Sequence, residues 1–165
     1  MRYTLRGLPS YRWLVIVWRL PTGLSTPRVA VWRRLRRLGA VPLTPGAAIV
    51  PFSEVLLEQF DWIADGITDG GGDAWVLPVG DLPEADEARI TRQSLADRAE
   101  EYRQLEAMAS QLPAEATEHD RARRALDRRL QKVIARDYFE PPERAIAVGA
   151  VARAISPGSR PSPGH

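Results

Sequence analysis

Cysteine is absent from this 165-residue chain, which excludes disulfides, thiolate catalysis and cysteine-ligated zinc together. Histidine is scarce. His119 lies between Glu118 and Asp120 where a helix starts, and His165 ends a Pro/Gly/Ser-rich tail. A His-centred metal site or a Ser-His-Asp triad would have to rest on His119, which reads as a solvent-exposed structural residue. No Gly-x-Ser-x-Gly or Walker sequence occurs. The apolar run Trp13–Trp18 is too short to span a bilayer. It is flanked by Arg12 and Arg19 and followed by no small-residue cleavage site. These absences set the expectation of a cytoplasmic protein without a membrane partner, and of no enzyme: no catalytic residue, no metal ligand set and no cofactor.

What is present is a core and an uneven distribution of charge. The 44% hydrophobic content is enough to bury a core. The formal net charge of +2 conceals strong segregation. Residues 1–53 hold nine arginines and no acid, residues 54–87 ten acids and no base, and residues 88–165 fourteen basic and eleven acidic groups. Such a chain carries a positive and a negative lobe. Lys132 is the only lysine, so coding bias can account for arginine over lysine, though not for where the arginines stand.

The first half alternates between strand and helix patterns. Arg12–Leu20 reads as a buried strand, closed by a loop over Pro21–Pro27. Val31, Leu35 and Leu38 recur at helical spacing, so Arg28–Leu38 is expected to be a helix stopped by Gly39. Ala40–Leu43 and Ala47–Pro51, joined by Thr44-Pro45-Gly46, signal a hairpin in which Pro42 marks an irregular or edge strand. Ser53 is placed as the N-cap of a helix to Ile67, with Leu56, Phe60, Ile63 and Ile67 on its apolar face. Asp69–Asp73 then turns into a strand over Ala74–Val79. The order βαββαβ, with right-handed crossovers, folds as an α+β ferredoxin-like domain over 11–80. Three helices are expected in a helical segment over 84–155 packed on that domain: Ala85–Leu112, ended by Pro113, then Glu118–Arg136 and Pro142–Ile155. A disordered tail is expected over 156–165.

The Arg28–Leu38 helix is the candidate site. Its apolar residues gather on one side, Arg33, Arg34, Arg36 and Arg37 fan out on the other, and Arg28 stands at the N-terminal end. Like charges this close repel unless something compensates them. The compensation is nucleic-acid phosphate, which matches the guanidinium fork, a small oxyanion, the protein's own acids in 54–87, or solvent alone. A second basic run, Arg121, Arg124, Arg128 and Lys132, reads as a solvated helix face. The glycines 70–72 run from helix into strand between Asp69 and Asp73, so they form a turn and not a phosphate loop. Glu54, Glu58, Asp61 and Asp65 spread along a polar helix side without converging. Of the five tryptophans, most read as core. Trp62 falls off the apolar stripe near Val55, which leaves intramolecular packing as the first reading and contact with a second subunit as the other.

Several segments together resemble a known family. Trp13-Leu-Val-Ile-Val-Trp-Arg-Leu-Pro-Thr22 is followed by Arg28-Val-x-x-Trp-Arg-x-Leu-x-x-Leu-Gly-Ala40, then by Gly-Gly-Asp-Ala-Trp-Val-Leu77 and Arg-Asp-Tyr-Phe-Glu-Pro141. Over roughly 11–155 the chain resembles the N-terminal domain of ChrB chromate-resistance proteins. The resemblance implies a regulator of a chromate-resistance operon that binds promoter DNA and responds to chromate. It also implies a ferredoxin-like domain similar to those of phenylacetate-operon repressors and CRISPR spacer-acquisition proteins. Arg28, Trp32, Arg33, Asp137, Tyr138 and Phe139 match by position, without an assigned role. Family members usually carry a further C-terminal domain. If chromate sensing depends on it, this chain binds DNA or a partner without responding to chromate. The nuclease-like relatives hold a metal through an aspartate ending the first strand. Here that strand ends Arg19-Leu20-Pro21 and no acid precedes Glu54, which argues against metal-dependent nuclease activity.

Two functional readings follow. One is a non-enzymatic regulator contacting promoter DNA through Arg28, Arg33, Arg34, Arg36 and Arg37, with chromate or another oxyanion as a candidate ligand. The alternative is a protein-interaction or accessory module in oxyanion resistance that uses its opposed charge lobes. A homodimer is compatible with either.

Overall fold

The structure is a computed structural model that describes residues 10–21, 23, 25–112 and 116–156. The expectations about Pro113 and the 157–165 tail, and about the side chain of His119, lie outside the described residues. The chain divides into two units, 1–94 and 95–165, and helix α3 runs through the division.

In the first unit the strands are β1 (Trp13–Arg19), β2 (Val41–Thr44), β3 (Ala47–Pro51) and β4 (Asp73–Val79). They form one antiparallel sheet in the order β2-β3-β1-β4. Helix α1 (Ser25–Arg37) crosses over from β1 to β2, and α2 (Glu54–Asp69) from β3 to β4. This is the ferredoxin-like α+β arrangement. Trp13 aligns with Pro51 on one side of β1 and Val79 on the other. The helix-covered face is built from alternate residues: Leu14, Ile16 and Trp18 are buried, and Trp18 meets Trp32 of α1 edge-on at 4.9 Å and 70°. Both outer strands contain a proline, Pro42 in β2 and Pro78 in β4, and the β2–β3 ladder shifts register between Pro42 and Thr44.

Helix ends follow local chemistry. Helix α1 starts three residues before the expected Arg28, because Pro27 sits in its first turn, where a missing N–H costs nothing. It stops in a Schellman arrangement: Gly39 takes φ 76°, its N–H donates to Arg36 O, and the N–H of Ala40 donates to Leu35 O. Ser53 caps α2, its hydroxyl accepting from the N–H of Leu56 at 3.1 Å. The glycine run is the turn into β4. A Cβ added at Gly72 would stand 2.5 Å from the carbonyl oxygen of Arg19 and 2.8 Å from Cγ2 of Ile67. Gly72→Ala is therefore expected to destabilise the chain by about 1–3 kcal/mol through overpacking. Urea unfolding checks this, and an unchanged midpoint would contradict the close approach.

The described helices of the second half are α3 (Glu84–Ser110), α4 (Ala116–Ile134) and α5 (Glu143–Ile155). In the second unit Tyr102, Leu105, Leu126, Leu130, Val133, Ala147 and Val151 form one buried cluster. Met108 of α3 is exposed. Arg123 ties α4 to the end of α5, donating from Nε to Ala154 O at 3.0 Å and from Nη2 to Ser156 O at 2.8 Å. No described helix is long and apolar enough to cross a membrane.

Candidate nucleic-acid interface

Val31 and Leu35 are buried and anchor α1, with Trp32 half-buried beside them. The arginines are thereby turned outward: Arg28, Arg33, Arg34, Arg36 and Arg37 are all exposed. Among the described residues none of the five forms a salt bridge. No internal salt-bridge network among the described residues compensates these side chains, and solvent or an external anion remains as the compensation. Arg34 lies on the flank that faces α2, its Nη1 3.5 Å from where a Cβ of Gly66 would stand. Arg36, two residues on, points to the opposite flank, while Arg33 and Arg37 point away from the sheet. Helix α1 has no acid in its first turn, and Arg34, Arg36 and Arg37 fill its last turn, where cations meet the negative helix end.

The acids of α2 form the neighbouring face. Glu54, Glu58, Asp61 and Asp65 are exposed along one side, and none forms a salt bridge among the described residues. Desolvation, followed by the nearby Asp65 charge, pushes the Asp61 carboxyl above the ordinary aspartate range. No group of three histidines, aspartates or glutamates gathers as a metal cage among the described residues. The second basic run is a solvated face, with Arg121, Arg124, Arg128 and Lys132 exposed.

Two expectations about tryptophan are corrected. Trp62 is 59% exposed and so is not a core residue, and Trp75 is 55% exposed although it lies in β4. On β4 both alternating sets are apolar, so period alone does not select the buried one. The register does: Ala74, Val76 and Pro78 align with Trp18, Ile16 and Leu14, leaving Trp75 and Leu77 on the other face.

The late Arg-Asp-Tyr-Phe-Glu-Pro segment has a structural role that the sequence did not disclose. The Asp137 side chain is wholly buried. Its Oδ1 accepts from the backbone N–H groups of Glu140 (3.0 Å) and Phe139 (3.4 Å). Its Oδ2 accepts from the Tyr102 hydroxyl at 2.8 Å and lies 3.4 Å from Nη1 of Arg144. The turn it holds includes Glu140 at φ 50°. Burial pushes the phenol pKa of both Tyr102 and Tyr138 above the ordinary range, and for Tyr102 the bond to Asp137 adds to this. Beside it, Glu101 bridges two arginines, 2.7 Å from Nη2 of Arg136 and 3.2 Å from Nη1 of Arg98.

A ferredoxin-like sheet domain with an arginine-faced crossover helix, continuing into a helical unit around a buried aspartate, defines the structural class of this protein. The sequence profile of the family described as Protein ChrB, N-terminal, matches residues 28–156. The chain belongs to that family. It is 34% identical over 98 residues to Protein ChrB of Cupriavidus metallidurans, an alignment covering 59% of this chain and 30% of the relative. The chain thus aligns with less than a third of that relative's length. No solved structure gives a significant match.

Proposed function

We propose that this chain is a cytoplasmic, non-enzymatic regulatory protein of chromate resistance that binds promoter DNA through α1. The observation that carries this reading is the row of five exposed α1 arginines, none ion-paired among the described residues. Guanidinium groups projecting from one helix suit the phosphates along a duplex. The acids of α2 repel phosphate, so DNA approaches from the side of Arg33, Arg36 and Arg37, away from α2. Membership of the ChrB family supplies the chromate context, with chromate or a related oxyanion as the candidate effector.

The test is fluorescence anisotropy with duplex DNA from the region upstream of the chain's own gene. It is run at two salt concentrations, with and without chromate, against a scrambled duplex. Neutralised phosphates release counterions, so affinity should fall steeply with salt, by about 0.9 of a log unit per log unit of salt for each phosphate contacted. Arg33→Ala/Arg37→Ala should weaken binding and reduce that slope by about two contacts' worth. An unchanged affinity and slope would remove α1 from the interface. Absence of binding at low salt would favour the accessory-module reading instead.

A further inference from the structure

The α1–α2 face carries both signs of charge side by side, and this is not what a surface built only for a polyanion requires. Arg34 fixes the geometry, because its guanidinium stands beside Gly66 and so marks the flank of α2 that faces α1. Trp62 lies one turn before Gly66 and Val55 two turns before Trp62, which places both on that flank. They are 59% and 69% exposed. Beyond them lies the acidic side of α2, and on the far side lie the outward arginines of α1. Across the face the order is a positive row, an exposed apolar stripe and a negative row. Neither charged row is compensated by a salt bridge among the described residues.

We propose that this face is a self-complementary docking surface for a second copy of the chain, with Arg33 and Arg37 of each copy meeting Glu58 and Asp65 of the other around Trp62. A two-fold axis running along the apolar stripe, parallel to the rows, brings unlike rows together twice, which is the geometry of an isologous interface. A partner bearing one sign would gain from one row and be repelled by the other. An exposed tryptophan between charged rows has the composition of an interface centre, a large ring enclosed by a polar rim. Pairing also relieves the repulsion within each row. The inference does not depend on the DNA reading, but the two are linked: the same arginines cannot face phosphate and the second copy together, so DNA and self-association compete.

Sedimentation velocity on the full chain, with two charge-reversed variants, tests this. All four reversed positions are exposed, and far-UV circular dichroism establishes that each variant is folded. The wild type should form a dimer at low salt that weakens as salt shortens the screening length from about 10 Å at 0.1 M to about 3 Å at 1 M. Arg33→Glu/Arg37→Glu alone and Glu58→Arg/Asp65→Arg alone should each raise the dimer dissociation constant by about a hundredfold or more, because like rows then meet. Mixing the two variants should restore a one-to-one dimer, since both pairs of rows are again opposite in sign. Glu58→Arg/Asp65→Arg should bind DNA at least as tightly as the wild type, since it loses acids that repel phosphate, and this separates failure of this proposal from failure of the DNA reading. A monomeric wild type at low salt, an acid-reversed variant that dimerises like wild type, or a mixture that stays monomeric would each overturn it.

Discussion

Asp137→Ala is expected to destabilise the protein by about 3–5 kcal/mol, the range for breaking a buried ionic contact from one side. The carboxylate is fully buried and serves four donors at once: two backbone N–H groups, the Tyr102 hydroxyl and the Arg144 guanidinium. Alanine leaves all four without their acceptor. Asp137→Asn is expected to cost less, about 1–3 kcal/mol. Its Oδ1 still accepts from Phe139 and Glu140, while its amide no longer accepts from Tyr102 and faces Arg144 donor to donor. Urea unfolding followed by circular dichroism measures both. A cost for the alanine variant below about 1 kcal/mol would mean that the turn is held by other contacts.

The second large effect has a sign that depends on how many residues are changed. Glu101 sits between Arg98 and Arg136, whose side chains are 10% and 19% exposed. Several polar atoms of the group, Nε and Nη1 of Arg98, Oε2 of Glu101 and Nε of Arg136, are buried without a hydrogen-bond partner. The Arg98–Glu101 contact is thus an ion pair without hydrogen-bond alignment. Glu101→Gln should cost about 3 kcal/mol, because two poorly solvated guanidinium groups lose their counter-charge. Replacing all three together, Arg98→Met/Glu101→Leu/Arg136→Met, should be neutral or stabilising by about 1–4 kcal/mol, since desolvation of the charges disappears with them. Thermal unfolding of the two variants side by side checks the reversal. If both are strongly destabilised, the arginines contribute through packing of their stems and not through charge.

The sequence disclosed what short-range chemistry controls. Ser53 as a cap, Gly39 as a stop, the hairpin around Pro45-Gly46 and the apolar stripe of α2 all depend on neighbours within a turn or two. The start of α1 was displaced because Pro27 is equally at home in a loop and in a first helical turn. The arginine row of α1 was legible as a row, since helical spacing alone separates it from Val31 and Leu35. Its lack of ion pairs among the described residues was not, because that depends on where α2 places its acids. Trp62 was legible as off the stripe, yet only the fold shows that it is more than half exposed. The role of Asp137 rests on a bond to Tyr102, 35 residues earlier in the chain. No local pattern marks such a pairing.

The prolines of the two outer strands bear on solubility. A sheet with free edges invites strand-by-strand growth into fibres, and β4 also exposes Trp75 and Leu77 on one side. Pro42 removes a donor from β2 and Pro78 removes one from β4. An incoming strand would find an interrupted ladder at either border. Each proline thereby weakens its outer strand as a template for extension, one of the devices by which sheet edges resist aggregation.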